Sequence, residues 1–198
     1  MSDIKIGDYV LADEPLTIAE ATQLMNILKM NIDENGYATL LPGKVITYEI
    51  GIGFFATLVD GKLESLLGYP AVIYYAGRME WRVNNNVHRD DDKPAIIDSN
   101  GTKIWYKDGL KHRENDKPAV VSLDGSMSYF VNDKLHRDND LPAEINATTP
   151  FLAFYKNGLR HREGNKPAYV NGDGHRRYFK NGILEKSFDP KTKRYTKM

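Results

Sequence analysis

The chain has 198 residues, with 27 Lys and Arg against 27 Asp and Glu, and no cysteine. That length allows one domain, or one domain with a small appendage, and enough chain to bury a real core. The charge balance leaves no electrostatic footprint for nucleic acid, and the missing cysteines exclude disulfides and thiolate zinc sites.

The opening Met1-Ser2-Asp3-Ile4-Lys5 lacks a basic stretch followed by an apolar one, so no secretion signal is expected. Ile4–Leu11 reads as a short strand or packing arm. Thr17-Ile18-Ala19-Glu20 has the spacing of a capping box, in which hydroxyl and carboxylate satisfy each other's backbone N–H groups. Ile18, Ala21, Leu24, Met25 and Leu28 then form one apolar stripe, predicting a helix over 17–32 that ends at Asn35-Gly36. Two β-prone runs follow, Tyr37–Leu41 and Lys44–Ile50, split by Pro42-Gly43. The uncharged run from Ile50 to Val59 is far short of the roughly 20 residues a membrane helix needs, and reads as a buried strand. Residues 1–56 are acidic, with three Lys against eight carboxylates, whereas the tail after Glu185 sets Lys186, Lys191, Lys193, Arg194 and Lys197 against Asp189 alone.

From there a cassette returns every 24 or 25 residues. His-Arg stands at 88–89, 112–113, 136–137 and 161–162, and Pro-Ala follows each His by six positions at 94–95, 118–119, 142–143 and 167–168. Seven positions before each His is an aromatic: Trp81, Trp105, Tyr129 or Phe154. Degenerate copies extend the register at both ends, with Glu64-Ser65 and Glu185-Lys186 in place of His-Arg. A fixed period of this length means stacked supersecondary units with atypical end copies. Asp108-Gly109, Asn157-Gly158 and Asn181-Gly182 supply hairpin turns of the kind that need positive φ at both central residues. The expectation is two turns and two short strands per copy, an antiparallel meander advancing roughly 9–10 Å per copy.

Stacked copies align side chains in columns. One is Trp81, Trp105, Tyr129, Phe154 and Tyr178. The next, on the other face, is Arg82, Tyr106, Phe130, Tyr155 and Phe179, which is the candidate binding surface. A single short helix covers only part of such a sheet, leaving aromatic surface for a protein partner or self-association. The in-register histidines do not make a metal site, because ligands of one zinc lie about 3–4 Å apart, well below the copy spacing. They are expected instead to stack and to pair with the acidic residues that follow them. His88-Arg89-Asp90 and His136-Arg137-Asp138 mimic a kinase catalytic loop, but Ala95 and Ala143 stand where its magnesium-binding Asn is required. No catalytic, cofactor or metal residues are assigned.

Trp105-Tyr106-Lys107-Asp108-Gly109-Leu110-Lys111-His112-Arg113, followed by Asp116-Lys117-Pro118-Ala119, resembles a short tandem repeat of large tailed phages and giant viruses that is similar to variants of the MORN repeat. The resemblance covers about residues 57–185. It departs at Asn85 and Asp133, where Gly is usual and looser turns are expected. It implies a mainly β hairpin array, to which the reading of the residues themselves adds a small α+β cap over 1–56 and a basic tail over 186–198. It also implies a viral source and a binding or assembly role, as a virion component or as a host-cytoplasm effector that blocks a host factor. Contact between the basic tail and anionic lipid is a lesser alternative. Another is an enzyme sited at Asp8, Asp13, Glu14 or Glu20.

Overall fold

A computed structural model describes residues 46–51, 54–65 and 68–198. The predicted helix over 17–32, the arm at 4–11 and the run 37–41 lie outside the described residues. Those described are all strand, turn and connection, with no helix among them, so the chain is mainly β. No helix among them is long and apolar enough to cross a membrane. The chain divides into two units, 1–109 and 110–198.

In the first unit Ile46–Gly51 pairs antiparallel with Phe54–Val59, so the apolar run read as one buried strand is divided between two: Ile50 and Gly51 end the first and lie opposite Phe55 and Phe54 of the second, in which Phe55 and Ala56 are enclosed. Val72–Tyr74, Met79–Glu80, Ile96–Ile97 and Lys103–Ile104 continue the sheet in that order. Its core is dense: Phe55, Ile73, Met79, Trp81 and Ile97 are almost wholly removed from water.

The second unit repeats the pattern with a thinner core. Val120–Val121, Met127–Ser128, Glu144–Asn146, Phe151–Ala153, Tyr169–Asn171, Arg176–Lys180, Ile183–Asp189 and Arg194–Lys197 pair antiparallel in chain order. The sheet thus gains two strands per copy, as the meander reading required. The residues read as a basic tail contribute its last strand. Buried side chains here are mostly the cassette alanines and one aromatic per copy, which is little apolar surface to hold a sheet.

Each copy is more folded than two strands and two turns. Between Pro118 and Leu141 there are four short strands: the sheet strands Val120–Val121 and Met127–Ser128, then the hairpin strands Phe130–Val131 and Lys134–Leu135. The hairpin leaves the sheet at Tyr129 and pairs only with itself, as do Arg82–Val83 with Asn86–Val87 and Tyr155–Lys156 with Leu159–Arg160. Three turns join these strands. Gly125 N–H bonds to Ser122 C=O, Asn132-Asp133 closes the hairpin, and Leu141 N–H bonds to Asp138 C=O around Asn139 and Asp140. Asn139 and Asp140 both have positive φ, as do Asp91-Asp92, Asn115-Asp116 and Gly164-Asn165 at the equivalent positions. Asn and Asp tolerate that region better than other non-glycine residues, which accounts for their presence there.

The turns at Asn85 and Asp133 are not looser than their glycine counterparts. Both take the left-handed conformation, at φ 71° and 63°. In return each side chain caps the preceding copy: Leu63 N–H donates to Asn85 Oδ1 at 2.7 Å, and Lys111 N–H to Asp133 Oδ1 at 2.8 Å.

Candidate functional site

The cassette is a set of staples between copies, and its chemistry begins with the histidines. The N–H of the first turn residue in the next copy points at each imidazole. Asp108 N–H donates to His88 Nδ1 at 3.0 Å, Asn132 to His112 at 3.4 Å, Asn157 to His136 at 3.1 Å and Asn181 to His161 at 3.1 Å. A backbone N–H can only donate, so Nδ1 carries the lone pair and the proton is on Nε2. Nε2 in turn faces a carboxylate two residues on: Asp90 at 3.1 Å, Glu114 at 3.2 Å, Asp138 at 3.2 Å and Glu163 at 2.8 Å. The His161 contact is the main reason the Glu163 carboxyl lies below its usual range. In the first, degenerate copy Glu64 does the same work, accepting Asn84 N–H at 2.6 Å. What the position requires is an acceptor.

Arg137 and Arg162 perform three tasks each, and Arg89 shares the first two. Their guanidinium planes lie on the aromatic of their own copy, Arg89 over Trp81 at 3.8 Å from the ring centroid, Arg137 over Tyr129 at 3.7 Å and Arg162 over Phe154 at 3.6 Å. Each also donates to the carbonyl of the cassette proline, as Arg137 does to Pro142 at 3.3 Å. Finally Arg137 and Arg162 fork onto an Asp of the preceding copy. Arg137 reaches Asp116 at 2.9 and 3.0 Å, and Arg162 reaches Asp140 at 2.6 and 3.2 Å. With Lys166 also bound at 2.7 Å, the Asp140 carboxyl is held down to about 2. In the last copy both partners change together: Lys186 lies over Tyr178 and donates to Asn165 at 2.7 Å.

Pro-Ala completes the joint. The alanines at 71, 95, 119, 143 and 168 have no exposed surface. Ala143 uses both backbone groups, accepting from Tyr129 N–H at 2.7 Å and donating to Ala153 C=O at 2.9 Å. Thr57 occupies the aromatic position of the degenerate first copy with the same backbone bonds, its N–H to Ala71 C=O and its C=O from Glu64 N–H. The tryptophans need a further acceptor for the indole N–H, and find it 13 residues back, Trp81 on Gly68 C=O and Trp105 on Asp92 C=O.

The first aromatic column is therefore spent on the scaffold, with Trp81 2% and Phe154 6% exposed. The second column, the candidate surface, is half-buried throughout. Arg82 is held by Glu80 at 2.6 Å and by Asn85 C=O at 2.6 Å, within a network that also ties Arg78 to Glu80 and Asp98. Tyr106 is half-buried in the first unit. In the second unit Phe130 sits 5.2 Å under Lys111. Tyr155 and Phe179 are brought together around Arg160, at 5.7 and 5.5 Å, with Tyr169 at 5.3 Å. The Tyr155 hydroxyl accepts from Arg160 at 3.0 Å and donates to Glu144 at 3.2 Å, and burial raises its pKa.

Between consecutive copies of the second unit run equivalent grooves of about 300, 290 and 230 Å³. The first is floored by Phe154 and Tyr155 and edged by Asp138, Lys156, Glu163 and Lys166. The sequence reading missed the outward face of the hairpins, where Val131, Lys134, Lys156, Leu159, Lys180 and Ile183 are all exposed. Their alternation with the candidate column was the available signal. Among the described residues no group of three or more His, Asp or Glu is arranged to hold a metal ion.

Fold and site together define a tandem array of antiparallel hairpin units joined by side-chain staples. No family model, curated protein or solved structure matches the chain.

Proposed function

We propose that the chain is a MORN-like repeat protein of a phage or giant virus, acting without catalysis as an interaction module and built into the virion as a structural or assembly component. One observation supports this above the rest. The polar residues that could do chemistry, His136, Arg137 and Asp116 and their counterparts, repeat with the same partners from copy to copy. Catalysis needs one asymmetric constellation in which some group is left for substrate, and here the imidazole Nδ1 atoms and the Arg137 and Arg162 guanidiniums are taken up by neighbouring copies. The half-buried column of Phe130, Tyr155 and Phe179, and the grooves beside it, are left as contact surface for a protein partner.

The test is quantitative mass spectrometry of purified particles of the virus that carries the gene. The proposal expects the chain at a fixed copy number per particle. Its absence from particles, with recovery of a host protein on the tagged chain during infection, would replace the virion role by that of a cytoplasmic effector.

A further inference from the structure

Each hairpin of the second unit has two faces, because directly opposed residues of an antiparallel pair share a side. The inward pairs are Phe130 with Leu135 and Tyr155 with Arg160. The outward pairs are Val131 with Lys134, Lys156 with Leu159, and Lys180 with Ile183. Every outward pair thus joins one aliphatic residue to one lysine. The aliphatic members are open to water, Val131 at 40%, Leu159 at 50% and Ile183 at 71%. Repetition of the pairing in three successive copies makes a patch rather than scattered exposure.

The three lysines differ from the cations that staple the copies together. Arg137, Arg162 and Lys166 are tied to carboxylates. Lys134, Lys156 and Lys180 form no ion pair among the described residues; Lys156 and Lys180 act only as the lesser charges that lower Glu163. The imbalance extends to the whole chain. Residues 110–198 hold 17 Lys and Arg against 11 Asp and Glu, while residues 1–109 hold 10 against 16, with most of that excess in residues 1–56. One chain therefore carries both a basic amphipathic face and an acidic region.

We propose that the outward hairpin face, Val131, Lys134, Lys156, Leu159, Lys180 and Ile183, is a self-association surface that receives the acidic N-terminal region of a second copy of this chain. The contact is heterologous, so it gives either a reciprocal dimer or a growing string, which is the behaviour an assembly component needs. This deepens the virion reading and rests on it. A second copy suits the face better than a lipid surface, because the patch has no aromatic side chain to seat at a headgroup boundary. The exposed Asp138 and Glu163 at the groove edges also repel a continuous anionic sheet. Separate carboxylates on a protein can be placed to avoid them. Six side chains of mixed polarity make a small interface, so association is expected at micromolar concentrations or above, and to weaken with salt.

The experiment is sedimentation velocity of the full chain over a concentration series, at low and at high salt. Variants are K134E/K156E/K180E, L159S/I183S, and an acidic-region reversal D8K/D13K/E20K. All carry the same exposed-surface type of change in the second unit or a charge change in the first, and circular dichroism confirms that each is folded. Wild type is expected to self-associate reversibly, and each variant alone to do so about tenfold or more weakly. A mixture of the lysine-reversed and acid-reversed variants is expected to recover association, since charges again oppose. A wild type that stays monomeric overturns the proposal, as does association unchanged by salt and by lysine reversal. So does a monomer that sediments with anionic vesicles through these lysines, which would make the face a lipid surface. If the chain is monomeric yet present in particles, this inference fails while the virion reading stands. If it associates but is absent from particles, the reverse holds.

Discussion

Replacing His136 tests the staple chemistry at one atom. Its Nδ1 accepts Asn157 N–H at 3.1 Å, its Nε2 faces Asp138 at 3.2 Å, and its side chain is only 16% exposed. His136→Leu keeps the apolar volume and removes the acceptor, stranding a donor that water reaches poorly. An unmade hydrogen bond of this kind costs about 1–3 kcal/mol, and the lowest quarter of that range applies at a hairpin tip with some water access. In a chain of this size about 1–1.5 kcal/mol lowers Tm by roughly 2–6 °C. His136→Asn places an amide oxygen where Nδ1 stood and is expected to recover most of the loss, as Glu64 serves the same position in the first copy. Repeat arrays can open locally, so the decisive assay is site-resolved amide exchange. In H136L the Asn157 amide should exchange about five- to tenfold faster, as that free energy requires, while Asn181, held by His161, should change little. Equal exchange at Asn157 in wild type, H136L and H136N would refute the reasoning.

Asp140 should titrate near pH 2 in an NMR experiment. Because its folded value is depressed, its stabilisation is present above the usual carboxylate range and is lost as pH falls from about 4 toward 2. Arg162→Gln should return the midpoint toward the ordinary value; a midpoint that stays put would mean that Arg162 is not the cause. At the hairpin turn, Asp133→Ala removes the cap on Lys111 N–H and keeps a side chain at φ 63°, so urea unfolding should show a loss of about 1–2 kcal/mol. Asp133→Gly loses the same bond but relieves the backbone, and should fall between wild type and D133A; the opposite order would argue against the capping role.

The columns were legible in the sequence because an in-register repeat needs no three-dimensional knowledge. His88, Arg89, Pro94 and Ala95 announce equivalence by spacing alone, and the degenerate copies at Glu64 and Glu185 could be found by counting. What each residue touches was not legible. Asp116, which receives Arg137, lies 21 residues earlier and looks like any other acid in a polar loop. The third turn of each copy was hidden because Asn139-Asp140 and Asn115-Asp116 reach positive φ without glycine. The outward face was missed for a related reason. Val131 and Leu159 alternate as strand residues of a sheet would, and only the departure of the hairpin from the sheet leaves them in water. The aromatic column of Phe130, Tyr155 and Phe179 was found by periodicity, but its half-burial under Lys111 and Arg160 depends on cations contributed from neighbouring positions.

The central claim is that the recurring cassette residues bind copy to copy rather than act on a substrate. A double-mutant cycle across one boundary tests it most directly, using Asp116→Asn, Arg137→Gln and the pair in chemical unfolding. The forked contact at 2.9 and 3.0 Å predicts a coupling of about 0.5–1 kcal/mol. Single losses that simply add, with no coupling, would contradict it.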